Sequence, residues 1–146
     1  MNKISPKKRQ KARRFIVQAL YQWQVAGASL NELLVQFING MNRQKTDVEY
    51  FESVLRQIVR QVSDLDALMQ PFLDRDMKEL GPVEHAVLRL GCYELSQRVD
   101  VPYKVVLNEA IELAKIFGPE ESHKYINGIL DKVVVETRAI ELSAAR

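Results

Sequence analysis

The stretch GPVEHAVLRLGCYELSQR, residues 81–98, predicts how the protein folds. Its apolar residues recur with the 3.6-residue period of an α-helix, and on a helical wheel they cover most of the circumference. The polar residues form one narrow stripe, which consists of His85, Arg89, Cys92 and Ser96. Gly81-Pro82 is typical of a helix start, because proline is favoured at the first helical position. A helix that is apolar on most sides packs among other helices, so this stretch is predicted to be the central helix of an all-α protein.

One acidic residue, Glu94, falls inside the apolar arc of this helix. An unpaired carboxylate in an apolar interior is costly, because the charge loses its hydration. We therefore expect Glu94 to have a partner, whose identity the sequence does not reveal.

The helical period continues on both sides of residues 81–98, and no stretch alternates as a β-strand does. Cap residues, glycines and prolines divide the chain into about seven predicted helices. These run from Ser5-Pro6 to Ala26, from Ser29 to Asn39, from Thr46 or Asp47 through Val62, from Ser63 or Asp64 through Phe72, from Gly81-Pro82 to Arg98, from Asp100 and Pro102 to Gly118, and from Pro119 onward. A polar break at residues 74–80 is predicted to divide the core into two helical halves, about residues 5–75 and about residues 81–137, of a single domain spanning residues 1–146.

The composition indicates an ordinary globular protein. Hydrophobic residues make up 47% of the 146 residues and charged residues 27%, which is far from the composition of a disordered chain. No apolar run approaches the roughly 18 residues that a membrane-spanning helix needs. The single cysteine, Cys92, cannot form an intrachain disulfide, as is typical of proteins in a reducing compartment. We therefore expect a cytoplasmic protein that does not span a membrane.

No constellation of catalytic residues is recognisable. Glycine-rich phosphate loops and dinucleotide fingerprints are both missing from the sequence. His85 and His123 lack neighbours at zinc-ligand spacing, and nothing near Cys92 resembles the base that a nucleophilic thiol needs. We expect a protein that is not an enzyme and that has no catalytic residue, metal or cofactor.

The charge is distributed asymmetrically along the chain. Seven of the 21 Lys and Arg residues lie within the first 14 positions, and no acid precedes Glu32. The remaining residues carry 14 cations against 19 anions, so a basic N-terminus is attached to an acidic body. Like charges repel each other, and a block of them is typical of a segment that binds a polyanion.

On a helical wheel, residues 7–23 have two different faces. One face is apolar and is predicted to pack in the core. The opposite face carries what we call the cationic stripe, formed by Lys7, Lys11, Arg14, Gln18 and Tyr21. Phosphates attract the cations, while glutamine and tyrosine can hydrogen-bond to bases or stack on them. The stripe therefore favours nucleic-acid binding, and an anionic membrane surface or a merely solvated face are the alternatives.

Four segments of the sequence, in this order, resemble the bacterial NusB family of transcription antitermination factors. They are ARRFIVQALYQWQ at residues 12–24, EHAVLRLGCYEL at 84–95, VPYKVVLNEAIELAKIFG at 101–118 and SHKYINGILDK at 122–132. The resemblance extends from about Arg9 to Lys132. It implies an all-helical fold of seven helices in two halves, and no catalysis. It also implies two partners: single-stranded boxA RNA of ribosomal RNA leader transcripts, and NusE, a small-subunit ribosomal protein. With other Nus factors, these assemble an antitermination complex on RNA polymerase.

The resemblance and the wheel together imply the site residues. Expected RNA-binding residues are Lys8, Arg9, Gln10, Lys11, Arg13, Arg14, Gln18, Tyr21, Phe117 and Tyr125. Expected partner-binding residues are Tyr21, Glu84, Arg89 and Glu121. The basic motif departs from the family in being interrupted by Gln10 and extended by Arg14. Residues 137–146 have no clear counterpart and are expected to fray.

Three other interpretations stay open. NusB-like domains also occur as RNA-binding parts of ribosomal RNA methyltransferases, although no cofactor-binding glycine loop is present here. A helical DNA-binding regulator is the second alternative. The third is a homodimer that forms when the partner is absent.

Overall fold

The structure, a computed structural model, describes residues 5–144. Within this range the chain forms eight α-helices and no β-strand, which confirms the predicted all-α class. The helices are α1 (Pro6–Ala26), α2 (Leu30–Asn39), α3 (Val48–Arg60), α4 (Val62–Met69), α5 (Pro82–Gln97), α6 (Tyr103–Phe117), α7 (Ser122–Thr137) and α8 (Ala139–Ala144). Two 3₁₀ turns, Gln70–Phe72 and Met77–Glu79, lie between α4 and α5. None of the helices in the described range is long and apolar enough to cross a membrane.

The helices group into two compact units, one up to Arg60 and one from Gln61 onward. The boundary therefore precedes α4, whereas the sequence suggested a division near residues 74–80. That both units belong to a single domain stays a prediction.

In the first unit, α1 begins and ends where the sequence predicts. The Oγ of Ser5 accepts a hydrogen bond from the backbone N–H of Lys8 at 3.3 Å, and Gly27 ends the helix with a φ of 69°. A left-handed φ of this kind favours glycine, because a Cβ would clash there. Asp47 is the cap of α3, since its Oδ1 accepts from the N–H of Tyr50 at 3.0 Å.

In the second unit, α5 is the central helix, as predicted. It packs against α4, α6 and α7, and every residue from His85 to Leu95 is buried. A Cβ on Gly91 would lie 2.8 Å from a methyl group of Leu130, so α5 and α7 approach closely only because this position is glycine. Glu94 is 1% exposed and interacts with another residue, as the burial of a carboxylate requires.

Two predicted helix starts are wrong. The fourth helix begins at Val62 without a side-chain cap, rather than at Ser63 or Asp64. The last predicted helix begins at Ser122 rather than at Pro119. The carbonyl of Pro119 accepts a hydrogen bond from the N–H of Ser122 at 3.1 Å, so the proline opens a turn instead. Proline is compatible with both roles, because its fixed φ suits a turn as well as a first helical position.

The expectation that the C-terminal tail frays is wrong for residues 137–144. Arg138 is 5% exposed, and its guanidinium donates to the carbonyls of Glu94, Leu95 and Arg98 at 2.7–2.9 Å. Glu141 accepts from Arg138 at 2.6 Å and from the N–H of Tyr103 at 3.1 Å. This pair therefore adds hydrogen bonds at the C-terminal end of α5 and satisfies a first N–H of α6, which a helix cannot satisfy internally.

Candidate nucleic-acid interface

The cationic stripe lies on the surface of α1, as the wheel predicts. Lys7, Lys11 and Arg14 are exposed, Gln18 is half-buried, and Tyr21 is 41% exposed. The opposite face of the helix is fully buried, and its members are Ala12, Ile16, Ala19 and Leu20. No carboxylate among the described residues forms an ion pair with the three cations of the stripe. These charges are therefore available to an external anion.

Two of the arginines expected to bind RNA face the protein instead. The guanidinium of Arg9 lies 4.2 Å from the centroid of the Tyr50 ring, and its Nε lies 3.7 Å from Oδ2 of Asp47. Arg13 is 3% exposed, and its guanidinium lies 5.6 Å from the same centroid. Arg9, Arg13, Asp47 and Tyr50 form what we call the arginine cluster, which joins α1 to α3.

Arg13 is therefore buried in the arginine cluster, and the expectation that it contacts RNA stays a prediction. The sequence spacing already indicates that Arg9 and Arg13 face the protein. Positions 9, 13, 16 and 20 lie within about 60° of one another on a helical wheel with 100° per residue. Arg9 and Arg13 are thus in line with the apolar residues Ile16 and Leu20. Arginine is tolerated there because a guanidinium can stack on an aromatic ring.

The other expected RNA-binding residues near the N-terminus are less enclosed. Gln10 is exposed and Lys8 is half-buried. The backbone carbonyl of Lys8 accepts a hydrogen bond from the N–H of Asp47 at 3.1 Å, which holds the start of α3 against the first turn of α1.

Three expected site residues lie around the α6–α7 connection in the second unit. Phe117 is the last residue of α6 and is half-buried. Glu121 is exposed, has a φ of 69°, and forms an ion pair with Lys124. The ring of Tyr125 on α7 is covered by the guanidinium of Arg75, which lies 4.4 Å from its centroid. Sequence reasoning did not single out Arg75.

The hydroxyl of Tyr125 is buried and makes no hydrogen bond of normal geometry within the described residues. Burial raises the pKa of Tyr125, and the nearby Asp74 carboxylate raises it further. The pKa of Asp74 is lowered, and the main cause is the hydrogen bond that Arg75 donates to its carboxylate. A neutral tyrosine therefore lies beside an ion pair.

Of the residues expected to contact a protein partner, Arg89 is buried. It is 5% exposed and donates to both oxygens of Asp66, at 3.0 and 2.8 Å. His85 also contacts Asp66, with Nε2 at 2.8 Å from Oδ1. Arg89 therefore holds α5 to α4, and its expected contact to a protein partner stays a prediction. Glu84 lies in the first turn of α5 and is half-buried.

Asp66 is ionised over nearly the whole pH range. Burial raises its pKa, but the hydrogen bonds and charges of His85 and Arg89 outweigh burial and lower the pKa to about 2. The carboxylate is therefore more acidic in the folded than in the unfolded chain. Its stabilising effect is present above the unfolded pKa of about 4 and is lost as the pH falls through about 2.

We expect Asp66→Asn to lower the free energy of unfolding by about 2 kcal/mol at pH 7, because the ion pair with Arg89 is lost. The difference from the wild type should shrink between about pH 4 and pH 2, where the wild-type carboxylate becomes protonated. Urea unfolding at pH 7, 4 and 2.5 measures both. Asp64→Asn, an exposed change on the same helix, is the matched control. A difference that is the same at every pH would contradict the assignment.

The described residues offer little for catalysis. Residues 5–144 contain no group of His, Cys, Asp and Glu side chains that could hold a metal ion. Cys92 is fully buried, and burial raises the pKa of its thiol, which makes it a poor nucleophile.

Over the described residues the protein is helical, and its first helix exposes lysines, an arginine and a tyrosine on one face, which places it in the class of helical proteins suited to binding a polyanion. The chain belongs to the NusB family, whose model matches residues 10–135. It is 51% identical to the transcription antitermination protein NusB of Alcanivorax borkumensis, over 99% of this chain and 97% of that protein.

Solved structures show the same fold. NusB of T. maritima has a TM-score of 0.83 and 29% identity, with 97% of this chain and 99% of that chain covered. A chain from a crystal structure of the antitermination factors NusB and NusE in complex with double-stranded RNA has a TM-score of 0.78 and 27% identity. It covers 90% of this chain and 99% of its own length.

Proposed function

We propose that this protein is a transcription antitermination factor that binds boxA-type RNA of ribosomal RNA leader transcripts as a heterodimer with NusE. In this role it helps to assemble the antitermination complex on RNA polymerase and catalyses no reaction. The observation that carries the proposal is the exposed cationic stripe on α1, with no ion pair to Lys7, Lys11 or Arg14 among the described residues. Membership of the NusB family supports the same function.

Within this proposal, the cations of α1 hold phosphates and its planar side chains meet bases. Lys7, Lys8, Lys11 and Arg14 supply the charges, which position the RNA without reading its sequence. The side chains that can hydrogen-bond to bases or stack on them are Gln10, Gln18, Tyr21 and Phe117, and Tyr125 belongs to the same RNA-binding surface. Tyr21, Glu84 and Glu121 are the proposed contacts to NusE. The half-buried Arg9 and the buried Arg13 and Arg89 support these surfaces from within.

Single-stranded RNA is the proposed ligand, although the related complex contains double-stranded RNA. Tyr21 and Gln18 are the reason, because a tyrosine ring can stack only on a base that is not already stacked in a duplex. Lysine and arginine would bind either form, since both carry the same phosphates.

The test is to measure the affinity of the protein for a fluorescent single-stranded boxA oligonucleotide and for its duplex, each with and without NusE. We expect tighter binding to the single strand and a further increase with NusE. Sedimentation of the protein alone and with NusE distinguishes a homodimer from a heterodimer. Equal affinity for any duplex DNA would favour a DNA-binding regulator, and binding of a methyl donor would favour a methyltransferase accessory domain.

A further inference from the structure

Arg75 lies in the connection between α4 and α5, between the two 3₁₀ turns. Its guanidinium carbon is 4.4 Å from the centroid of the Tyr125 ring. Its Nε donates to Oδ1 of Asp74 at 2.8 Å, and a terminal nitrogen donates to Oδ2 at 3.4 Å. A single guanidinium is thus held by a ring on one face and by a carboxylate at its edge.

This arrangement fixes a side chain that is otherwise flexible. The side chain of Arg75 is still 37% exposed, so the outer face of the guanidinium is accessible. A free arginine would lose rotamer entropy on binding a ligand, whereas one held in this way has already lost much of it. The result is a flat, pre-organised cationic surface above Tyr125.

The surface suits the face of a base better than it suits a second carboxylate. Arginine recognises carboxylates and phosphates through its edge, by paired N–H donors. That edge already faces Asp74, whose charge partly neutralises the guanidinium. The remaining planar face can stack on the π-system of an unpaired base, as arginine planes do in recognition of single-stranded RNA.

We propose that Arg75 is an RNA-contacting residue of the second unit, and that its outer face stacks on an unpaired base. Tyr125 then acts as a positioning residue beneath Arg75 and does not itself stack on RNA. This inference rests on the proposed RNA binding and specifies the residue and the kind of contact. The competing role is a purely internal one, in which Arg75 only attaches the α4–α5 connection to α7.

The test is the affinity of single-stranded boxA RNA for Arg75→Ala, Arg75→Lys, Tyr125→Phe and Tyr125→Leu, measured by fluorescence anisotropy across salt. Loss of one base–arginine stack should weaken binding about tenfold in Arg75→Ala. Arg75→Lys should lose a similar amount, because it retains the charge but not the plane. Tyr125→Phe keeps the supporting ring and should bind within about twofold of the wild type.

Two further readouts separate stacking from other roles. The salt dependence of Arg75→Ala should equal that of the wild type, since a stacked arginine paired with Asp74 releases no counterion. Tyr125→Leu should weaken binding about as much as Arg75→Ala, and the double variant should lose no more than either single variant, because both changes remove the same contact.

Wild-type affinity in Arg75→Ala or in Arg75→Lys would overturn the inference. Tighter binding by Arg75→Ala would overturn it too, because it would show that the uncovered Tyr125 ring stacks on the base. Thermal unfolding of each variant, followed by circular dichroism, identifies any loss of folded protein, and affinities are compared at a temperature where all variants are folded. If wild-type RNA binding is present while Arg75→Ala is unaffected, this inference fails alone. If the wild type does not bind RNA, the proposed function fails with it.

Discussion

Replacing Arg138 by methionine is expected to lower the free energy of unfolding by about 3–5 kcal/mol, the usual cost of breaking a buried charged network by removing one partner. The guanidinium donates to three carbonyls at the end of α5 and to the carboxylate of Glu141. Methionine fills similar space but leaves the carbonyl of Leu95 without this donor and removes the charge that pairs with Glu141, whereas the carbonyls of Glu94 and Arg98 keep the N–H donors of Arg98 and Val101. Urea unfolding followed by far-UV circular dichroism measures the loss.

The matched control is Arg60→Met, the same substitution at an exposed position in the last turn of α3. We expect it to change stability by less than about 0.5 kcal/mol, as is usual for surface substitutions. Glu141→Gln should have an intermediate effect, since the amide oxygen can still accept hydrogen bonds although the charge is lost. Equal unfolding midpoints for Arg138→Met and Arg60→Met would show that the hydrogen bonds of Arg138 do not stabilise the second unit.

Arg138 also shows why the C-terminal tail could not be predicted. The local sequence has short polar and small residues with no strong apolar period, so local propensity alone predicts fraying. What orders α8 is a set of hydrogen bonds to carbonyls 40–44 residues earlier in the chain. Backbone carbonyls have no sequence signature, and only the folded arrangement of α5 and α6 brings them to Arg138.

Helix α1 was predictable for the opposite reason, because its determinants are local. The serine cap, the proline at the first position and the terminal glycine all lie within or next to the helix. The apolar period then identifies which face is buried, and so which face is exposed. Arg9 and Arg13 were expected to bind RNA from the family resemblance, although on the wheel their positions are in line with the core.

The pairing of Asp66 with His85 and Arg89 was only partly predictable from the sequence. The wheel of α5 correctly isolated His85 and Arg89 as a polar stripe on an otherwise apolar helix. A buried polar stripe requires a partner of opposite charge on a neighbouring helix. Which of the acids in the preceding helix supplies it depends on how α4 packs on α5, and this cannot be read from α4 alone.

Neutralising the cationic stripe should have the largest effect on RNA binding. In the variant Lys7→Gln, Lys11→Gln and Arg14→Gln, we expect single-stranded RNA to bind about 100-fold more weakly at about 0.1 M salt. The reason is counterion release: each phosphate contact contributes about 0.7 to the slope of log affinity against log salt. Removing three contacts should reduce the magnitude of that slope by about 2. Fluorescence anisotropy over a series of salt concentrations measures both quantities.

The control for this variant carries the same loss of charge elsewhere on the surface. Lys45→Gln, Arg60→Gln and Lys104→Gln remove two lysines and one arginine that are likewise exposed. If RNA contacts the cationic stripe, the control should retain the wild-type slope, since a long-range effect of net charge is screened beyond about 10 Å at 0.1 M salt. Equal slopes in the two triple variants would place the RNA elsewhere.

The arginine cluster completes this comparison, because Arg13 carries the same charge as the stripe but is buried against Tyr50. We expect Arg13→Gln to reduce stability, through the lost stacking and the amide left in a buried place, while the salt slope stays that of the wild type. A slope reduced by about 0.7 would instead show that Arg13 turns outward to a phosphate. The sequence gives the number of basic residues, but their burial in the folded protein determines which of them an RNA strand can reach.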